Sequence, residues 1–131
     1  MKAIWYEVGN CRGNDFCSEG SFDVDELIKE AKAITEEIEI EILMEKEGIP
    51  FNLFYNMGYE IKSDLSSYKE AILKVLKAIK RRKIVIGGWE EGTTGVSVKL
   101  KKKELVKEVE AADYRALKGI SVGNVKEIIK K

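Results

Sequence analysis

Apolar positions along this chain recur with two periods, and the switches between them predict its elements. From Lys2 to Val8 (K-A-I-W-Y-E-V) the period is two. Ile4, Tyr6 and Val8 share one side of an aromatic, β-branched run, which predicts a strand near the middle of a sheet. Gly9 to Gly20, with three glycines and two asparagines, reads as a loop. Asp23 with Glu26 three residues on resembles a capping box, and Val24, Leu27, Ile28, Ala31 and Ile34 then follow at helical spacing. In E-I-E-I-E-I, Glu37 to Ile42, the period returns to two. Ile38, Ile40 and Ile42 alternate with Glu37, Glu39 and Glu41, which predicts a half-exposed antiparallel strand. Lys46 to Pro50 is a turn, and Phe51 to Tyr59 returns as an aromatic strand with Pro50 at its start.

Ser67 with Glu70 forms a capping box that opens a second helix, its stripe running through Tyr68, Ile72, Leu76 and Ile79. The next two apolar runs, Ile84 to Ile86 and Val96 to Leu100, flank a Gly- and Thr-rich segment, Gly87 to Gly95. This reads as a hairpin with a long loop, centred near Gly92, which sets Lys83 opposite Lys101. Lys103 to Leu117 is a third helix through Leu105, Val106, Val109 and Ala112. After an interruption at Lys118 to Gly123, Asn124 can cap a short last helix carrying Val125, Ile128 and Ile129. The order β-α-β-β-α-β-β-α plus a short C-terminal helix predicts a single α+β domain spanning residues 1–131. Its five-stranded, mainly antiparallel sheet packs with three helices.

Charge changes this picture more than composition does. The 23 basic and 23 acidic residues cancel overall. Yet Met1 to Leu65 holds 6 Lys/Arg against 15 Asp/Glu, and Ser66 to Lys131 holds 17 against 8. The predicted hairpin gathers part of that excess. Lys80, Arg81, Arg82 and Lys83, at the end of the second helix, would lie beside Lys101, Lys102 and Lys103 at its open end. Helix capping accounts for some of them, because cations favour a helix C-terminus. Trp89, beside Gly87 and Gly88, would sit at the loop tip as a base-stacking or protein-anchoring side chain, or fold back over the core. The row Glu37, Glu39, Glu41 reads as a solvated face or as a docking surface for a basic partner.

Catalytic chemistry finds little to use. The chain has no histidine, so nucleophilic catalysis by Ser or Cys lacks its usual partner, and nothing singles out a pair of carboxylates. Cys11 and Cys17 do not form Cys-x-x-Cys, and a zinc site would have to recruit Asp15, Glu19 or a second chain. Free thiols are the expectation, with a disulfide across the loop or a metal as the alternatives. Neither glycine-rich segment matches a phosphate or dinucleotide loop, and no cofactor or metal is expected. No apolar run approaches the length of a membrane span, and Met1 to Gly9 has no signal-peptide core, so a cytoplasmic location is expected. The Lys- and Glu-rich composition, without histidine or glutamine, is thermophile-like.

In the tail, Y-R-A-L-K-G-I-S-V-G-N-V-K-E-I-I, Tyr114 to Ile129, resembles the helix-hairpin-helix of RecA-superfamily recombinases. Tyr114, Leu117, Gly119, Ile120, Val125 and Ile128 stand at its apolar and glycine positions. Ser121 replaces the usual second glycine and Val125 the usual alanine. The resemblance implies a phosphate contact through Lys118, Gly119, Gly123 and Lys126. The alternative is a helical cap on the sheet. The sequence therefore predicts a non-catalytic binding or regulatory protein whose basic patch meets nucleic-acid backbone or an acidic protein surface. The alternatives are homotypic assembly, with the acidic strand of one copy meeting the basic rim of another, and an enzyme using carboxylates or the two cysteines.

Overall fold

The computed structural model describes residues 1–49, 65, 67–81, 84–89, 92–112 and 129–130. The expected strand Phe51 to Tyr59, Arg82, Lys83 and the tail motif up to residue 128 lie outside the described residues.

The chain begins with a hairpin of β1 (Lys2–Cys11) and β2 (Asn14–Asp23), in unbroken register from Lys2↔Asp23 to Cys11↔Asn14. Its two-residue turn has φ of 53° at Arg12 and 81° at Gly13, the type I′ geometry that matches the twist of the flanking strands. The expectation of a loop from Gly9 to Gly20 is thus corrected. The segment looked like a loop because β2 is an edge strand with polar residues on its exposed side, and because Gly20 interrupts it. Gly20 is there for space: a Cβ would come 2.7 Å from the indole of Trp5, its cross-strand partner.

Asp23 accepts the Glu26 amide at 2.9 Å and opens α1 (Val24–Ala33), as its capping pattern predicts. The E-I-E-I-E-I strand does not form. Its residues lead into α2 (Glu39–Lys46), which buries Ile40, Leu43 and Met44. Those three stand at the i, i+3, i+4 spacing of a helix, and Leu43 and Met44 decide the outcome by extending the pattern beyond the alternating run. Ile38 and Ile42 are left 68% and 60% exposed. Glu37 takes a structural role instead, its carboxylate accepting the amides of Tyr68 at 2.8 Å and Lys69 at 3.4 Å at the start of α3 (Tyr68–Arg81). Ser67 Oγ accepts the Glu70 amide, and Lys69 Nζ donates back to the carbonyls of Lys32 and Ile34 at the end of α1. The N-terminus of α3 is therefore tied to α1 and to the segment before α2.

β3 (Ile84–Trp89) and β4 (Gly92–Ser97) pair from Val85↔Val96 to Trp89↔Gly92. This hairpin is tighter than expected, because Gly87 to Trp89 and Gly92 to Gly95 are strand rather than loop. The register is displaced accordingly, and β4 ends before it can set Lys101 opposite Lys83. α4 (Lys102–Ala111) follows, and a two-residue β5 (Ile129–Lys130) pairs with β3. Ile129 therefore does not belong to the expected last helix. The result is an α+β fold with one antiparallel sheet of order β2-β1-β4-β3-β5 and, among the described residues, four helices.

Side-chain alternation divides the core in two. Ala3, Trp5, Phe22, Val85 and Val96 face α1, α2 and α3, while Ile84 and Ile86, with Ile4, Tyr6 and Val8, pack with Leu105 and Val109 of α4. α4 lies close because Gly95 has no side chain: a Cβ there would collide with Val109. Gly95→Ala should lower stability by about 1–3 kcal/mol through overpacking, read as a drop in the urea midpoint. Val109→Ala should cost less in that variant than in the parent protein, because the two positions share one contact.

Candidate functional site: the basic end of the sheet

Strand register determines which charges meet. Ile4 pairs with Ser97, Lys2 with Asp23 and Ile84 with Lys130, so Lys2 and Lys130 lie at one end of the sheet. α3 finishes with Lys80 and Arg81 three residues before β3 begins there. β4 ends there too, and Lys99 to Lys103 follow it into α4. The two basic runs do share an end, but on opposite faces of the sheet rather than as neighbouring strand extensions: α3 packs on the face of Trp5 and α4 on the face of Tyr6. Trp89 stands elsewhere. It closes β3 at the other end, roughly 16 Å along the strand from Ile84.

Some of these cations are matched. Lys80 Nζ lies 2.6 Å from Asp25, which also meets the Met1 amino group at 3.0 Å; that amino group reaches Asp23 at 3.2 Å. Lys102 pairs with Glu19 at 2.8 Å. The hydrogen bonds of Lys80 and the amino terminus hold the Asp25 carboxyl below its usual range. The Glu26 amide and then the amino terminus do the same for Asp23. All these pairs are solvent-exposed, where such contacts add little stability. Among the described residues no ion pair joins Arg81, Lys99, Lys101 or Lys103 to a carboxylate, and all four are exposed.

The helix dipole separates the two runs. Lys80 and Arg81 occupy the last turn of α3, where the dipole favours cations. Lys101, Lys102 and Lys103 occupy the start of α4, where it opposes them. Glu104 offsets part of that cost by accepting the Lys101 amide at 3.1 Å. Local helix energetics thus explain the first run and not the second, of which only Lys102 has a carboxylate partner among the described residues, Glu19.

Two other features bear on chemistry. Cys11 and Cys17 lie on opposite faces of the β1–β2 hairpin, since Cys11 pairs with Asn14 and Cys17 with Val8. A disulfide across this segment is therefore excluded while the strands are formed, and neither cysteine is in a disulfide. Among the described residues no group of three metal-ligating side chains comes together. The sequence reading passed over Glu7. It alternates with Ile4, Tyr6 and Val8, so it points to the other face beside Thr94 and is only 6% exposed. A lone carboxylate in a central strand was the available signal. Burial pushes its carboxyl above the usual range, partly countered by the Thr94 and Ser18 hydroxyls, each donating at 3.4 Å.

This sets a sign for stability. The charged form of Glu7 is disfavoured in the fold, so its cost is absent below the unfolded-chain value of about 4.3 and complete once pH exceeds the folded value. Glu7→Gln should therefore raise stability at neutral pH, read as a higher urea midpoint, and the gain should vanish as pH falls to about 4. Comparison with known proteins leaves the chain's own residues to carry the reading: no family model, no curated protein and no solved structure matches it.

Proposed function

We propose that this chain is a cytoplasmic, non-catalytic binding protein that uses the basic end of its sheet to dock an anionic partner, with nucleic-acid backbone as the case argued. The observation that supports this most is the lysine run at the wrong end of α4. Lys101, Lys102 and Lys103 stand where the helix dipole repels them. A phosphate group placed there would meet both the lysines and the positive end of the helix. Lys80, Arg81 and Lys99 extend the positive surface around the same end of the sheet, and Arg82 and Lys83, outside the described residues, enter the proposal on their place in the sequence alone. Lys118, Gly119, Gly123 and Lys126 add a second phosphate contact to the proposal on the strength of the tail's resemblance alone.

The mechanism is charge neutralisation and positioning, with no reading of bases. The homotypic alternative loses the acidic strand it relied on, because Glu39 and Glu41 belong to α2. No helix among the described residues is long and apolar enough to cross a membrane.

Fluorescence anisotropy with labelled DNA and RNA oligomers tests the proposal. Binding should weaken steeply as salt rises, by about tenfold or more between 50 and 200 mM. The triple charge reversal Lys101→Glu, Lys102→Glu, Lys103→Glu should abolish it. Reversing Lys29, Lys32 and Lys46, which lie on α1 and α2, should leave it largely unchanged. Absence of salt-sensitive binding, or equal loss in both triple variants, would overturn the assignment.

A further inference from the structure

β2 is the outer strand of the sheet, with β1 on one side and no strand of the described residues on the other. It is a long edge, ten residues without a bulge. The two-residue turn makes Cys11 and Asn14 a hydrogen-bonded pair, and such pairs then recur at every second position. Asn14, Phe16, Ser18 and Gly20 therefore direct their amides and carbonyls to β1. Asp15, Cys17, Glu19 and Ser21 direct theirs outward, and all four residues are exposed.

Edges of this kind template the addition of another strand unless they are short, bulged or guarded by Lys or Pro. β2 has no proline and no basic residue; its charges are Asp15, Glu19 and Asp23, on one face. Those carboxylates select against a second copy of the chain. Every two-fold pairing of β2 with itself that matches the outward groups sets carboxylates of the two copies directly opposite or diagonal to one another. The same charges favour a basic strand.

We propose that the β2 edge is a docking site for an extended basic segment of a partner protein, which adds to the sheet as a sixth strand. Asp15 and Glu19 are four residues apart and share a face, so the segment carries Lys or Arg at two positions four apart. A small residue lies between them opposite Cys17. On that face Glu19 also lines a cleft of about 300 Å³ with Ile4, Tyr6, Ser21, Lys102 and Leu105, beside which the stem of a long basic side chain can lie. Glu19 is held by Lys102 in an exposed pair, which an incoming cation displaces at little cost. This surface is distinct from the basic end of the sheet and does not depend on the function proposed there.

The probe is a labelled nine-residue peptide of alternating Thr and Val with lysines four apart and serine between them. Two controls accompany it: one with both lysines replaced by glutamate, and one N-methylated at the amides facing β2. The lysine peptide should bind, and the amides of Asp15, Cys17, Glu19 and Ser21 should become protected from hydrogen exchange when it does. Asp15→Lys with Glu19→Lys should weaken the lysine peptide at least tenfold and admit the glutamate peptide. No binding of the lysine peptide, equal binding of the N-methylated peptide, or binding without protection of the four outward amides would each overturn the proposal.

Discussion

The burial of β1 on both faces is the constraint on which the structure depends. Its odd-numbered residues Ala3 and Trp5 contribute to one core and its even-numbered residues Ile4, Tyr6 and Val8 to the other. β2 and β4 are paired directly to it. A one-residue slip would turn Trp5 toward α4 and Tyr6 toward α1 and α3, so the register of the whole sheet is set by this alternation. Glu7 is the exception within β1: a polar group buried where a hydrocarbon would be cheaper, held by two hydroxyls at the limit of hydrogen-bond length.

Charge follows from that register. Because antiparallel pairing fixes which strand ends coincide, lysines from residues far apart in sequence reach one end of the sheet, on its two faces. Asp15 and Glu110, beside Asn10 and Val8, lie toward the other end, where Tyr6 also donates to Glu110. That contrast between the two ends is local to these residues, since Glu110 comes from the basic half of the sequence. Asp23, Asp25 and Glu19 soften it locally by pairing with the amino terminus, Lys80 and Lys102.

How legible the chain was depended on whether local pattern and tertiary packing agreed. α1 and α3 could be read because their capping residues and apolar stripes point the same way: Asp23 and Ser67 both cap where expected, and the predicted stripe residues Leu27, Ala31, Ile72, Leu76 and Ile79 are buried. β1 was legible for the same reason. Glu37 to Ile42 was not, since its period of two is a property of six residues while the packing of α2 depends on Leu43 and Met44 beyond them. β2 was missed because an edge strand need bury only one side and tolerates Gly20 where the Trp5 ring needs room. The basic residues were expected as one cluster of neighbours, but the two described runs lie on opposite faces, because the hairpin register depended on glycines inside β3 and β4 that concealed it.

The placement of the two cysteines has a practical consequence. Because one thiol belongs to the Trp5 side of the sheet and the other to the Tyr6 side, a protein keeping only one of them carries a reporter for one layer alone. A probe on Cys17 would sense events along the outer strand and the cleft beneath α4. A probe on Cys11 would sense the opposite layer, so each layer's response to a bound partner can be followed separately in the same fold.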